Sequence, residues 1–138
     1  MNMAWHTALV ASVAALGIAS QAAHAQQTIK ATLRSDTIQL EPHDVKAGRV
    51  TFDVVNLAGN DMVHELVVLK TDLADGALPV RKGLVQEARL HKIGEVEDIA
   101  PGRHKHLALT LAPGRYALIC NKPGHYAAGM HAALVVTR

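Results

Sequence analysis

The tetrapeptide Ala-Pro-Gly-Arg occurs twice near the end of the chain, at residues 100–103 and 112–115. Proline fixes the first central angle of a type II turn and glycine accepts the positive angle that follows, so each copy predicts a turn. Between the copies, residues 105–111 alternate polar and apolar side chains, as a half-buried strand does. The two turns therefore bracket one strand, and the apolar run at 116–120 begins the next.

The same alternation recurs upstream, in residues 28–33, 37–40 and 50–56, with Gly-, Pro- and Asn-containing turns between the runs. A more continuous apolar run, 64–69, indicates a strand buried on both faces. About seven or eight strands at this spacing predict an all-β, Greek-key β-sandwich. Residues 72–92 are the exception, because Leu78-Pro79 could open a short helix there.

The first residues are predicted to be a signal peptide rather than part of the fold. An apolar run of about a dozen residues ends in Ala23-His24-Ala25, which predicts residues 1–25 as the signal and 26–138 as the mature domain. The run is shorter than the roughly 20 residues of a membrane span. We therefore expect an exported, periplasmic protein without a membrane span in its mature form. An uncleaved anchor is the alternative, because no lysine or arginine precedes the run.

Composition excludes several classes of function. A formal net charge of +2, without a dense run of basic residues, does not predict a nucleic-acid partner. A mature region of this length supports one hydrophobic core, and we expect a monomer. The chain has one cysteine, so it has no intramolecular disulfide partner. A lone thiol in an oxidising compartment would be protected if a metal occupied it.

That cysteine, Cys120, opens a loop containing His125 and Met130 at five-residue intervals. Thiolate, imidazole and a distant thioether are ligands of an electron-transfer copper site, which needs one more histidine. His64, at the start of the apolar run 64–69, is the natural candidate, with Met62 as a less suitable alternative. The sequence therefore predicts a single copper ion that passes electrons.

These residues resemble the cupredoxins, the family of small blue copper proteins that includes plastocyanin and azurin. His64 and Cys120-x4-His125-x4-Met130 match its pattern of an early histidine and a C-terminal Cys–His–Met loop. The loop spacing is similar to that of rusticyanin and auracyanin. The resemblance implies a β-sandwich with one copper ion cycling between Cu(I) and Cu(II), and electron transfer through the His125 edge to a transiently docked redox partner.

The resemblance also implies a difference in the contacts around the metal. Many cupredoxins follow the first histidine with an asparagine that ties the two ligand segments together, whereas Glu65 stands at that place here. Asn121 is a candidate for part of that bonding. We also weigh His131 against Met130: adjacent strand residues point to opposite faces, so only one of the two can be a ligand, and the spacing from His125 favours Met130.

Other interpretations of the same residues remain open. Cys120 and Met130 could be core residues and His125 a solvated loop histidine, although their combination favours ligands. His104 and His106 lie two residues apart and could chelate a surface metal, but an exposed polar face is the commoner explanation.

Two further functions compete with electron transfer. A periplasmic copper carrier would share the metal and deliver it. A thiol enzyme would use Cys120 as nucleophile and His125 as base, but no third catalytic member is recognisable. We therefore predict that the protein is not an enzyme.

Overall fold

The computed structural model describes residues 25–59 and 61–138. Residues 1–24 of the signal peptide predicted at residues 1–25 lie outside the described residues. The described strands, in chain order, are β1 (Gln27–Leu33), β2 (Ile38–Glu41), β3 (Asp44–Lys46), β4 (Gly48–Asn56), β5 (His64–Lys70), β6 (Val80–Arg81), β7 (Leu84–Val85), β8 (His91–Ile99), β9 (His104–Leu111), β10 (Gly114–Ile119) and β11 (His131–Thr137). A 3-10 turn spans Glu87–Arg89 and a helix, α1, spans His125–Ala128. Within the described residues, no helix is long and apolar enough to cross a membrane.

Two sheets form the predicted sandwich. One has four strands in the order β2-β1-β4-β9, and the other has five in the order β3-β11-β10-β5-β8. The β1–β4 and β3–β11 pairs are parallel, whereas the remaining neighbours are antiparallel. The all-β sandwich is confirmed, and the described residues place nine strands in its two sheets rather than seven or eight. The difference includes β3, which is only three residues long and too short for alternation to reveal.

The space between the sheets holds the main hydrophobic core. Along β4, Val50, Phe52 and Val54 are fully buried while Thr51 and Asp53 between them are partly exposed. This alternation follows from the two-residue period of a strand, which sends successive side chains to opposite faces. The large side chains of the core are mainly aliphatic, in keeping with the low aromatic content of the chain.

Strand β5 is buried on both faces because a second layer covers the outside of its sheet. Leu66 and Val68 face the core between the sheets, whereas Val67 and Leu69 pack in a second cluster with Tyr126. Val85, from the excursion at residues 72–92, belongs to the same cluster. The continuous apolar run at residues 64–69 thus indicates a strand that lies between two apolar layers.

The helix predicted to start near Pro79 does not form. Strands β6 and β7 instead make a short hairpin, and helical structure in the excursion is limited to the 3-10 turn. Lys82 and Gly83 join the two strands with φ angles of 53° and 79°. Two successive positive φ angles produce a tight hairpin turn with the twist that antiparallel strands require, so they end any helix begun at Pro79.

Antiparallel pairing of β5 with β10 positions the predicted ligands. His64 begins β5, and Cys120 comes directly after the end of β10. Because the start of one antiparallel strand adjoins the end of its neighbour, the two side chains lie at the same end of the sandwich.

Candidate metal centre

Backbone hydrogen bonds close the loop that joins β10 to β11. The Cys120 N–H donates to the Met130 carbonyl over 3.1 Å, and the Met130 N–H donates to the His125 carbonyl over 3.1 Å. These bonds hold the three loop residues selected from the sequence in one compact unit. His125 begins α1, directly after Gly124.

Gly129 is required by the shape of this loop. Its φ angle is 120°, and a Cβ built on it would lie 2.6 Å from the carbonyl oxygen of Asp36. Any other residue would suffer both the unfavourable angle and a backbone clash. Glycine at 129 therefore lets the chain turn from α1 into Met130.

Three candidate donor atoms converge at this end of the sandwich. The Cys120 Sγ lies 3.4 Å from the His125 Nδ1 and 3.7 Å from the His64 Nδ1. The two Nδ1 atoms are 3.2 Å apart. His64 comes from 56 residues upstream of Cys120, so it is the fold that assembles this group.

The four predicted ligands differ in exposure. His64, Cys120 and Met130 are fully buried, and His125 is half-buried. Met130 packs within the core between the sheets, in the same apolar cluster as Cys120. Its competitor His131 has its Nδ1 2.6 Å from the Asp75 Oδ2, so that imidazole is engaged with the excursion.

A buried asparagine fixes the entry to His64. The Asn56 side-chain amide donates to the Met62 and Ile99 carbonyls, over 2.8 Å each. Ile99 pairs with His64 across β8 and β5. Sequence reasoning missed Asn56, although a signal existed: it continues the inward-facing series of β4 as a polar residue on an apolar face.

Glu65 connects the two segments that carry the donors. Its Oε1 accepts a hydrogen bond of 3.1 Å from the Asn121 N–H, and its Oε2 lies 3.4 Å from the Lys122 Nζ. Glu65 therefore links the segment that carries His64 to the loop that carries Cys120, although it stands where many cupredoxins have an asparagine. Lys122 also pairs with Asp98 at 2.9 Å, and this hydrogen bond, with a contribution from Glu65, raises the Lys122 pKa.

Asn121 has the complementary role of holding the hairpin. Its side-chain oxygen accepts from the Val85 N–H over 2.7 Å, and its amide donates to the Val85 carbonyl and the Glu87 carboxylate. The Gly124 N–H also donates to the Gly83 carbonyl over 3.0 Å. The excursion at residues 72–92 is thus attached to the loop that carries Cys120 and His125.

Burial disfavours charge on the metal-free side chains. It raises the pKa of the Cys120 thiol, and it lowers the pKa of His64 with a further contribution from His125. A cation among these atoms would offset the cost of a thiolate, because an opposite charge favours the ionised form. The His64 Nε2 is buried and has no hydrogen-bond partner among the described residues.

This donor set suits copper better than a hard cation. Two imidazoles and a thiolate, with a thioether in the same apolar cluster, are soft or borderline ligands, whereas Mg²⁺ and Ca²⁺ prefer oxygen. All three donors of His64, Cys120 and His125 lie within 4.8 Å of one another. The residues present therefore fit a single copper ion.

Comparison with known families decides the identity of the fold. The profile described as "Copper binding proteins, plastocyanin/azurin family" matches residues 25–137. The chain belongs to this copper-binding family. It is a cupredoxin, and one copper ion is its cofactor.

Solved structures of other cupredoxins have the same fold. An auracyanin from Roseiflexus castenholzii superposes with a TM-score of 0.56 at 22% identity, covering 81% of this chain and 98% of that one. Auracyanin A from Chloroflexus aurantiacus, described as a blue copper protein, gives 0.55 at 25% identity, covering 81% and 99%. Rusticyanin from Thiobacillus ferrooxidans gives 0.56 at 16% identity, covering 81% and 77%. No curated protein matches the chain.

Proposed function

We propose that this cupredoxin is an exported, periplasmic carrier of single electrons and not an enzyme. His64, Cys120, His125 and Met130 would hold its copper, with Met130 supplying the weaker thioether donor. A bound copper ion supplies the one-electron couple between Cu(I) and Cu(II). The observation that carries the proposal is the convergence of the His64, Cys120 and His125 donors within 4.8 Å.

Rigid placement of the donors favours electron transfer. The backbone bonds between Cys120, His125 and Met130, together with the Glu65 and Asn56 side chains, hold the donor-bearing segments from several directions. Groups fixed in this way move little when the charge of the site changes, which keeps the reorganisation cost of electron transfer small. Burial also protects the thiolate from solvent and oxidants.

His125 is the proposed route for electrons. It is half-buried, whereas the other three proposed ligands are fully buried. The neighbouring Pro123, Gly124, Ala127 and Ala128 are exposed, and they are small or apolar. A surface of small or apolar residues suits brief docking of a redox partner, whose interface would be small and quickly released. We propose that the protein acts as a monomer in this exchange.

Voltammetry combined with copper competition tests this function against copper delivery. We expect a reversible one-electron couple from the copper-loaded protein, together with slow copper loss to a Cu(I) chelator in excess. A carrier that delivers copper would instead release the metal to the chelator quickly. Rapid release or an irreversible couple would contradict the proposal.

A further inference from the structure

A second group of possible metal ligands lies on the outer face of the four-stranded sheet. Asp53 on β4 is directly opposite His106 on β9, and His104 is two residues along the same strand. Since residues at i and i+2 share a face of a strand, both imidazoles lie beside the Asp53 carboxylate. This cluster is built from different strands than the centre at His64 and Cys120.

The separations within the cluster fit a bound ion. The Asp53 Oδ1 lies 3.5 Å from the His104 Nδ1 and 3.6 Å from the His106 Nδ1. All three candidate donor atoms lie within 4.8 Å of one another. Ligand atoms about 2.0–2.1 Å from a tetrahedral ion would be roughly 3.3–3.4 Å apart, so small side-chain movements suffice to coordinate one.

The Asp53 Oδ1 lies near both imidazoles but makes no hydrogen bond to either of them. It is shielded from solvent and has no hydrogen-bond partner in the part of the chain that the structure describes. A buried acceptor without a partner costs free energy, and a cation bound between the imidazoles would remove that cost. The sequence alone favoured an ordinary polar face for His104 and His106 because Asp53, the third candidate donor, lies about 50 residues away along the chain.

We propose that Asp53, His104 and His106 form a second metal site, for a divalent transition-metal cation such as Zn²⁺ or Cu²⁺. Two imidazoles and one carboxylate are borderline donors that suit these ions, and Cu²⁺ binds such sites more tightly than Zn²⁺. The side chains of His104 and His106 are 62% and 66% exposed, so an ion reaches them from solvent. Three protein ligands leave a fourth position for water or a group from another molecule.

Lys30 sets a limit on the affinity of this site. It pairs with Asp53 across β1 and β4 and lies on the same face, although it forms no ion pair with Asp53 among the described residues. A nearby ammonium group repels a bound cation. We therefore expect Lys30→Gln to tighten metal binding.

Titration of the reduced, copper-loaded, untagged protein with Zn²⁺ tests the site. We expect calorimetry to show one Zn²⁺ bound per chain, and the imidazole NMR signals of His104 and His106 to shift. The double variant His104→Gln/His106→Gln, and separately Asp53→Asn, should weaken binding by about tenfold or more, since even residues that only support metal ligands commonly have effects of that size. His43→Gln/His91→Gln removes two other histidines and serves as the matched control.

A Cu²⁺ arm separates this site from the first one. A second equivalent of Cu²⁺, added to protein whose first site holds oxidised copper, should add an EPR signal with ordinary hyperfine splitting that the double variant lacks. The thiolate absorption of the first site should be the same in both proteins. Equal Zn²⁺ affinity in the wild type and the double variant, or no Zn²⁺ binding by the wild type, would overturn the proposal. Neither result would alter the function proposed for the first site.

Discussion

At the scale of single residues, Glu65 places a carboxylate beside the copper-binding loop. Its two oxygens contact the Asn121 N–H and the Lys122 ammonium, directly after the cysteine ligand proposed here. Negative charge near the site favours Cu(II) over Cu(I), because the oxidised ion carries more positive charge. Glu65 thus connects the loops and should also influence the reduction potential.

Replacing Glu65 with glutamine tests the second of these roles. Glutamine keeps an oxygen that can accept from the Asn121 N–H but removes the charge, so we expect a higher reduction potential. The measurement is the midpoint potential of the copper-loaded variant by voltammetry. Glu41→Gln, at an exposed position on β2, is the control and should leave the potential close to that of the wild type. An unchanged or lower potential for Glu65→Gln would contradict this interpretation.

The sequence predicted the local part of the centre more fully than its surroundings. Cys120, His125 and Met130 lie within one loop, so their spacing alone brings them close together. The roles of Glu65 and Asp53 depend on contacts with Asn121 and His106, 56 and 53 residues away. Such pairs form only once strand register is fixed, and the alternation within each strand does not reveal which strands pair or in what register.

At the scale of elements, the excursion at residues 72–92 works as a second layer over the β5–β10 part of the sheet. Tyr126 connects this layer to the ligand loop: its hydroxyl donates to the Asp75 carbonyl over 2.6 Å and accepts from the Leu78 N–H over 3.0 Å. Its ring is buried in the second apolar cluster. The hydroxyl therefore joins α1 to the start of the excursion.

Tyr126→Phe should destabilise the protein by about 1–3 kcal/mol, because the buried Leu78 N–H loses its acceptor while the ring keeps its packing. The free energy of unfolding is measured by denaturant titration of the copper-free protein. Tyr116→Phe is the matched control: among the described residues its hydroxyl makes one hydrogen bond, to the Ala112 carbonyl, so its removal should cost less. A smaller loss for Tyr126→Phe than for Tyr116→Phe would show that the hydroxyl does not hold the excursion in place.

The excursion is also the region where the hydrophobic pattern gave a wrong prediction of secondary structure. Apolar spacing after Pro79 predicted a helix, but the Lys82-Gly83 turn and the bonds from Asn121 favour a hairpin. A two-residue turn with a glycine is a local hairpin signal, and it outweighs weak helical periodicity. The strands with clear alternation were predicted correctly because one face of each is buried.

At the scale of the whole molecule, the sandwich brings distant chain segments to one end and covers them. His64 enters from β5, the proposed loop ligands lie between β10 and β11, and Asn56 connects β4 to the Met62 carbonyl just before β5 and to the Ile99 carbonyl on β8. All-β class and sandwich architecture followed from alternation and turns. Alternation does not indicate strand direction, so it did not predict that β1 pairs with β4, and β3 with β11, in parallel.

Optical and EPR spectra of residues 26–138 after one equivalent of Cu(II) test the central claim most directly. The double variant His104→Gln/His106→Gln provides a background without the proposed surface site. We expect an intense blue or green thiolate-to-copper absorption with narrow copper hyperfine splitting, and its loss in Cys120→Ser. A pale spectrum with ordinary hyperfine splitting, unchanged by Cys120→Ser, would contradict the proposed centre.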